Sequence, residues 1–416
     1  MSTRSSAPSP SAASLLARRF SVRSAGVVYA LVLLVVVIAT LSASQGRSGY
    51  LSSVNISNIL DQTALIGILA IFMTVVLISG NFDLSVASTA ALAGTVALKT
   101  IDAHGVVFAI LAAVLVGALV GLVNAVLVQK VGVNAFIVTL GTLTAVRGVV
   151  EVILDGESIT ASRTTLLTMA THRWTMPTWL ALLLAVALLG GGIAMVVRSS
   201  NRGRALGEWA VFLLAGVGLL LVALLRPLLL SQTVPTWLMI VLAVVTGAVL
   251  RFTVIGRNLY AVGGNAEAAR LSGIPVDVYK MGAFILNGAM AGVVGVLYAG
   301  RFNSVNPTVL TGGELTVIAA AVLGGTSLFG GSGYVGKSVV GALILFTLSN
   351  GFNVLNIGAN YQNVVQGGVL VAAAALYTVT NQNERSKFRS RLKRSAIAPP
   401  APEPPADAES AGSRVA

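Results

Sequence analysis

The sequence predicts an all-α polytopic membrane protein of about twelve transmembrane helices, with two inverted repeats of helices around a central path. Three observations carry the class. Hydrophobic residues make up 56% of the 416 residues and charged residues only 10%, against roughly 25% charged in soluble domains. The apolar residues are gathered into runs of spanning length, in which a helix satisfies its own backbone within lipid. Glycine is abundant, at 44 residues, which suits helices that must approach closely where no hydrophobic drive acts between them.

Composition removes other classes. There is no cysteine, so neither a disulfide framework nor a thiolate metal site is available. The two histidines, His104 and His172, have no ligand pattern around them, and no metal is expected. A net charge of +13 raises the question of nucleic acid. The basic residues, however, stand at the ends of apolar runs and in the terminal tails, as cytoplasmic loops do under the positive-inside rule. The lipid bilayer is the expected partner of this charge, and no nucleic acid.

In chain order, residues 1–24 are Ser/Ala/Pro-rich with Arg4, Arg18, Arg19 and Arg23, the composition of a disordered basic tail. A transmembrane domain is expected over 25–380. Its first apolar run, Val27 to Leu41, is followed by Ser42-Ala43-Ser44, a pattern that also fits a signal peptide. Further runs lie at about 62–80, 86–100, 106–128, 134–151, 177–198, 208–230, 234–252, 278–300, 315–330, 338–356 and 361–379. An even number of spans puts both tails on one side. Lys130, Arg198, Arg202, Arg204, Arg251, Arg257, Arg270, Lys280 and Lys337 share that side, which is read as cytoplasmic. Arg47, Lys99, Arg163, Arg173, Arg226 and Arg301 fall on the other. Residues 381–416 begin with a basic cluster (Arg385, Lys387, Arg389, Arg391, Lys393, Arg394) and turn Pro/Ala-rich. A second disordered tail is expected there, its basic part near anionic lipid.

The longest polar interruption runs from Gly256 to Val276, within a loop at about 253–277. It reads as one short helix. Asn265 can cap it, Glu267 puts a carboxylate in the first turn, and Ala266, Ala268 and Ala269 carry it. Arg270 sits in the last turn, and Ser272-Gly273 followed by Pro275 ends it. Gly263-Gly264 reads as a flexible lead. On these grounds alone it is equally an ordinary loop helix.

That stretch resembles the cytoplasmic coupling loop of ribose/xylose-type permeases, the membrane subunits of bacterial ABC sugar importers. The likeness continues through Ala319-Ala320-Ala321-Val322-Leu323-Gly324-Gly325-Thr326-Ser327-Leu328-Phe329-Gly330-Gly331, Phe82-Asp83-Leu84-Ser85-Val86 and Phe136-Ile137-Val138-Thr139-Leu140-Gly141. Together the segments cover most of residues 55 to 380, in family order. The resemblance implies a retained first helix and a coupling site at Gly263, Gly264, Asn265, Glu267, Ala268, Ala269, Arg270, Leu271, Ser272 and Gly273. The compact members have about ten spans, so 177–231 resembles an inserted helical pair, a feature of the xylose-type members.

Two stretches echo each other. Asp83-Leu84-Ser85-Val86 is followed by Gly94, and Glu314-Leu315-Thr316-Val317 by Gly325, each eleven residues after the acid. The first opens a span running outward and the second one running inward, as in inverted repeats relating spans 2–5 to spans 9–12. Asp83 and Glu314 are too costly to face lipid. Each either accepts backbone N–H groups where a helix starts or acts as a gate at the repeat interface; the cap is the simpler reading. Arg147 and Glu151, four apart, are expected to form an ion pair.

Gly331-Ser332-Gly333-Tyr334-Val335-Gly336-Lys337-Ser338 matches the P-loop pattern letter for letter. It joins two membrane spans rather than a strand and a helix of an α/β domain, so nucleotide binding is not expected there. A sugar path needs amides and aromatic faces, and the candidates are Asn124, Asn134, Thr139, Asn287, Phe302, Asn303, Asn306, Tyr361 and Gln362. For each, a helix-packing hydrogen bond is the plainer role.

The expectation is therefore a non-catalytic permease subunit in the bacterial plasma membrane, both termini cytoplasmic. It would move a monosaccharide inward, a pentose such as xylose. No cofactor is expected in this chain, with ATP and magnesium on a cytoplasmic ATP-binding subunit. An extracytoplasmic sugar-binding protein and a second permease copy, identical or paralogous, complete the partners. The rival is an ion-coupled secondary sugar transporter using Asp83 and Glu314.

Overall fold

The structure is a computed structural model. It describes residues 22–358 except 48 and 201–207, together with 361, 364, 367, 368 and 371. Residues 1–21 of the first predicted tail, the whole of the second, Gln362 and most of the predicted last span lie outside the described residues, while residues 22–24, predicted as tail, open a helix. Those described as far as Gly368 form one compact unit.

Among the described residues, eight helices are long and apolar enough to cross a membrane, and the chain is an all-α polytopic membrane protein. In order, α1 is Val22–Ser44, α2 is Ser53–Ile78 and α3 is Val86–Val126, extended by a π-helical turn over Leu127–Val131. Next come α4 (Ala135–Leu154), α5 (Thr165–Thr171), α6 (Thr178–Ser200), α7 (Glu208–Leu225) and α8 (Val234–Phe252). The polar interruption holds α9 (Val254–Gly264) and α10 (Ala266–Leu271). The last three are α11 (Val276–Phe302), α12 (Gly313–Leu323) and α13 (Val335–Val354).

α3 is two spans. It reverses at Gly105, whose φ of 83° and ψ of 173° lie outside helical space and in a region open to glycine. The far ends prove the reversal: Asn124 Nδ2 donates to Ser85 Oγ at 2.9 Å. A straight helix of that length would hold them about 60 Å apart. The runs predicted at 86–100 and 106–128 are thus the two limbs of a hairpin.

The run predicted at 315–330 is corrected. α12 has only 11 residues and ends at Gly324, and the chain turns through Gly325, Gly330 and Gly331, all at positive φ. Composition there is apolar enough for a full span, but closely spaced glycines take left-handed conformations that no helix continues. The predicted 208–230 span likewise ends at Leu225, followed by a 3-10 turn over Pro227–Leu230.

α2 is the central helix, buried along almost its whole length. α11 packs against both limbs of α3 through backbone rather than side chains. A Cβ at Gly117 would collide with the Gly288 and Gly292 backbone, one at Gly121 with Phe284 and Ile285, and one at Gly295 with Ala90 and Gly94. Such contacts hold helices together where burial from water cannot. α6 and α7 form a separate hairpin around Ala181, Ala223 and Leu230.

The charged groups separate to two ends. At one end lie Lys130 and Arg270, both on Asp277, with α9 and α10. At the other, Arg47 donates to the Val354 carbonyl, Arg226 to Leu51 O and Arg301 to Asp61 O. Asp102 there accepts the Ser162 and Arg163 N–H groups. Two short antiparallel ribbons close this second end: β1 (Ile159–Thr160) pairs with β4 (Ser304–Val305), and β2 (Arg173–Thr175) with β3 (Ser231–Thr233). The first limb of α3 runs from the first end to the second, and α12 runs the opposite way.

Candidate functional site: the polar end segment and the buried hub

The polar segment forms two helices where one was predicted. The Thr253 hydroxyl accepts the Gly256 N–H at 3.3 Å and starts α9. Asn265 Oδ1 accepts the Ala268 N–H at 3.0 Å and starts α10, with Glu267 in the first turn and Arg270 in the last. Ile274 N–H reaches back to Ala269 O at 3.0 Å across Gly273, φ 79°, a Schellman-type closure. Ser272 Oγ bonds Ala268 O. Leu271, at the end of this doubly closed helix, is 85% exposed.

Gly263 and Gly264 are not a flexible lead. They are the last turn of α9, and a Cβ on Gly263 would collide with the Ile78 carbonyl and meet Gly331 N at 2.8 Å. Glycine stands here because three backbones touch.

Inside the bundle, Asp83 is 1% exposed. Its Oδ1 accepts the Ser85 N–H at 3.0 Å, the Ser85 hydroxyl at 2.6 Å and the Asn124 amide at 3.5 Å. Its Oδ2 accepts the Asn287 amide at 2.8 Å. Thr142 Oγ1 donates to Asn124 Oδ1 at 2.7 Å. This hub joins α2's exit, both limbs of α3, α4 and α11. The Ser85 contact closes a turn just before α3, and the Asn287 contact crosses to α11. Asn287 Oδ1 is buried without a partner.

Glu314 is placed differently, half-buried in the first turn of α12, where the helix dipole favours it. The expected Arg147–Glu151 ion pair is corrected. Arg147 Nη1 donates instead to Pro307 O at 3.1 Å and Val309 O at 2.7 Å, because the loop before α12 presents fixed carbonyls to it.

The other predicted path residues do not converge. Asn134 caps α4 through the Phe136 N–H at 2.9 Å, and Thr139 bonds back to Ala135 O at 2.8 Å. At the opposite end, Phe302 packs on Tyr298 with ring centroids 4.6 Å apart. Asn303 donates to Ala161 O at 3.3 Å, and Asn306 Oδ1 accepts the Thr308 N–H at 3.0 Å. Tyr361 is exposed, and Gln362 lies outside the described residues.

Sequence reasoning missed Asp61. Its carboxylate accepts Arg173 at 3.0 Å, Thr233 at 2.7 Å and Thr236 at 2.8 Å, tying α2 to the β2–β3 ribbon and α8. The sole signal was a carboxylate at the edge of an apolar run, and its partners lie more than a hundred positions away. In the P-loop look-alike, Ser338 Oγ accepts from Thr74 at 2.7 Å and the Lys337 ammonium lies 4.7 Å from the Tyr334 ring centre.

Residues 55–374 match the family of branched-chain amino acid transport system permease components. The chain belongs to this permease family. The permease is 34% identical to the L-arabinose ABC transporter permease protein AraH of Azospirillum brasilense, over 85% of this chain and 88% of the relative. It is 34% identical to the ribose import permease protein RbsC of Escherichia coli strain K12, over 83% and 90%. The same identity holds to the xylose transport system permease protein XylH of that strain, over 80% and 87%. No solved structure matches the permease. It is thus a multi-pass inner-membrane protein and a transport component.

Proposed function

We propose that the permease is the membrane-spanning subunit of an ATP-driven importer for a monosaccharide, a pentose such as xylose, working by alternating access. Support for a sugar comes from the relatives, whose names carry arabinose, ribose and xylose. Xylose in particular rests on the inserted α6–α7 pair. The observation that carries the mechanism is the α9–α10 element: a capped, closed helix pair presenting Leu271 outward at the end that holds Lys130 and Arg270. A cytoplasmic ATP-binding subunit, holding ATP and magnesium, docks there on Asn265–Gly273. The permease performs no covalent chemistry. A sugar-binding protein delivers substrate to the end closed by the β-ribbons, and a second permease copy completes the path. ATP-driven closure of the ATPases pushes α9–α10 and rocks the repeats.

The test is sugar-stimulated ATP hydrolysis and uptake in vesicles holding permease, candidate ATPase and binding protein, with xylose, arabinose and ribose compared. Stimulation by one pentose, abolished or uncoupled in Glu267→Ala/Arg270→Ala, is the expected result. Uptake that runs without ATP and follows a proton or sodium gradient would instead establish the ion-coupled reading and return attention to Asp83 and Glu314.

A further inference from the structure

Three backbone segments from distant parts of the chain meet beside α9. One is the turn leaving α2 at Ile78–Gly80, which leads into α3. The second is the turn between α12 and α13, which breaks the helix of the second repeat. The third is the end of α9. No side chain separates them. A Cβ on Gly330 would lie 2.6 Å from Gly263 O and 2.8 Å from Gly80 Cα, and one on Gly331 would lie 2.6 Å from Gly264 Cα. Gly80, Gly330 and Gly331 all take positive φ. Two hydrogen bonds lock the meeting: Gly331 N–H to Ile78 O at 2.9 Å and the Tyr260 hydroxyl to Gly333 O at 2.7 Å.

Each turn leads inward to a buried polar contact. Gly80 stands three residues before Asp83 and its hub. The other turn carries Thr326, whose hydroxyl lies 3.3 Å from Ser338 Oγ, which in turn accepts from Thr74 on α2. Backbones in direct contact cannot slide past one another as side chains do, so a displacement of α9 must carry both turns with it.

We propose that this glycine junction is the joint through which a push on α9–α10 reaches both inverted repeats at once, with Tyr260 and Gly263 as its positioning residues. The proposal rests on the importer reading and adds to it the path from the docking helix to the interior. Neither Tyr260 nor the glycines at 80 and 330 contact a partner in this scheme; they act by holding the turns to α9.

The chain has no cysteine, so Ser332→Cys, on an exposed part of the second turn, places one spin label beside the joint. The complex with its ATPase is reconstituted in lipid, and the label is read with and without a non-hydrolysable ATP analogue. The expected result is a nucleotide-dependent change in label mobility that falls roughly three- to tenfold in Tyr260→Phe, as loss of one hydrogen bond allows. Gly263→Ala should abolish it. In Tyr260→Phe, transport per ATP should drop alongside, while ATPase binding and basal hydrolysis persist. Gly336→Ala, whose Cβ meets nothing within 4 Å, should keep the full change. If Gly263→Ala does not fold, Tyr260→Phe decides. A full label change and unaltered transport per ATP in Tyr260→Phe would overturn the joint, as would a silent label in a wild-type background that transports. Failure of the ATPase to bind wild type would overturn the importer reading and the joint with it.

Discussion

At the scale of single residues, the consequential groups are polar atoms whose partners are few and fixed. Asp83 holds Ser85, Asn124 and Asn287 in one buried set. Asp83→Ala leaves the Ser85 and Asn287 donors unpaired, each at about 1–3 kcal/mol. The melting temperature in detergent should drop sharply, and less so for Asp83→Asn, which keeps an acceptor oxygen. Asn265→Ala removes the cap on the Ala268 N–H, worth about 1 kcal/mol. Faster amide hydrogen exchange confined to Ala266–Ser272 is the expected reading, with the transmembrane helices unchanged. A carboxylate in an apolar chain announces that it needs donors. Which donors it finds is not local information: Asn287 stands 204 positions from Asp83.

Among elements, the glycines divide into those that touch a neighbour and those that do not. Gly117→Val drives a side chain into the Gly288 backbone, an overpacking cost of about 1–3 kcal/mol. Gly141→Ala meets nothing within 4 Å and should stabilise α4 slightly through helix propensity. Heating the two variants in detergent and comparing the monodisperse fraction separates them: the first should fall early and the second match or exceed wild type. The apolar runs located the spanning helices because length and composition suffice for that. They did not show that α12 stops after 11 residues or that α9 is helical to Gly264. In both places glycine is decisive, and glycine's role depends on what lies opposite it. The paired motifs illustrate this: Gly94 continues its helix against Gly295, whereas Gly325, at the same offset from its acid, breaks one.

For the whole molecule, the separation of charge to two ends makes a test of orientation possible. In this cysteine-free chain, Glu157→Cys and Glu267→Cys place single thiols at opposite ends, both on exposed residues. A membrane-impermeant thiol reagent should label the first in intact cells and the second only after permeabilisation. The reverse result would put α9–α10 outside the reach of a cytoplasmic ATPase.

The sequence by itself determined that this chain lies in a membrane, where most of its helices fall and which polar segment is elaborately ended. Those properties follow from hydrocarbon offering backbone groups no partners and from caps being built within a few residues. Tertiary structure decided that α3 doubles back at Gly105, that Asp83 bonds across to α11, that Asp61 anchors the β2–β3 end and that two glycine turns meet the end of α9. Each of these joins atoms far apart along the chain at contact distance, and such contacts exist only once the helices have packed.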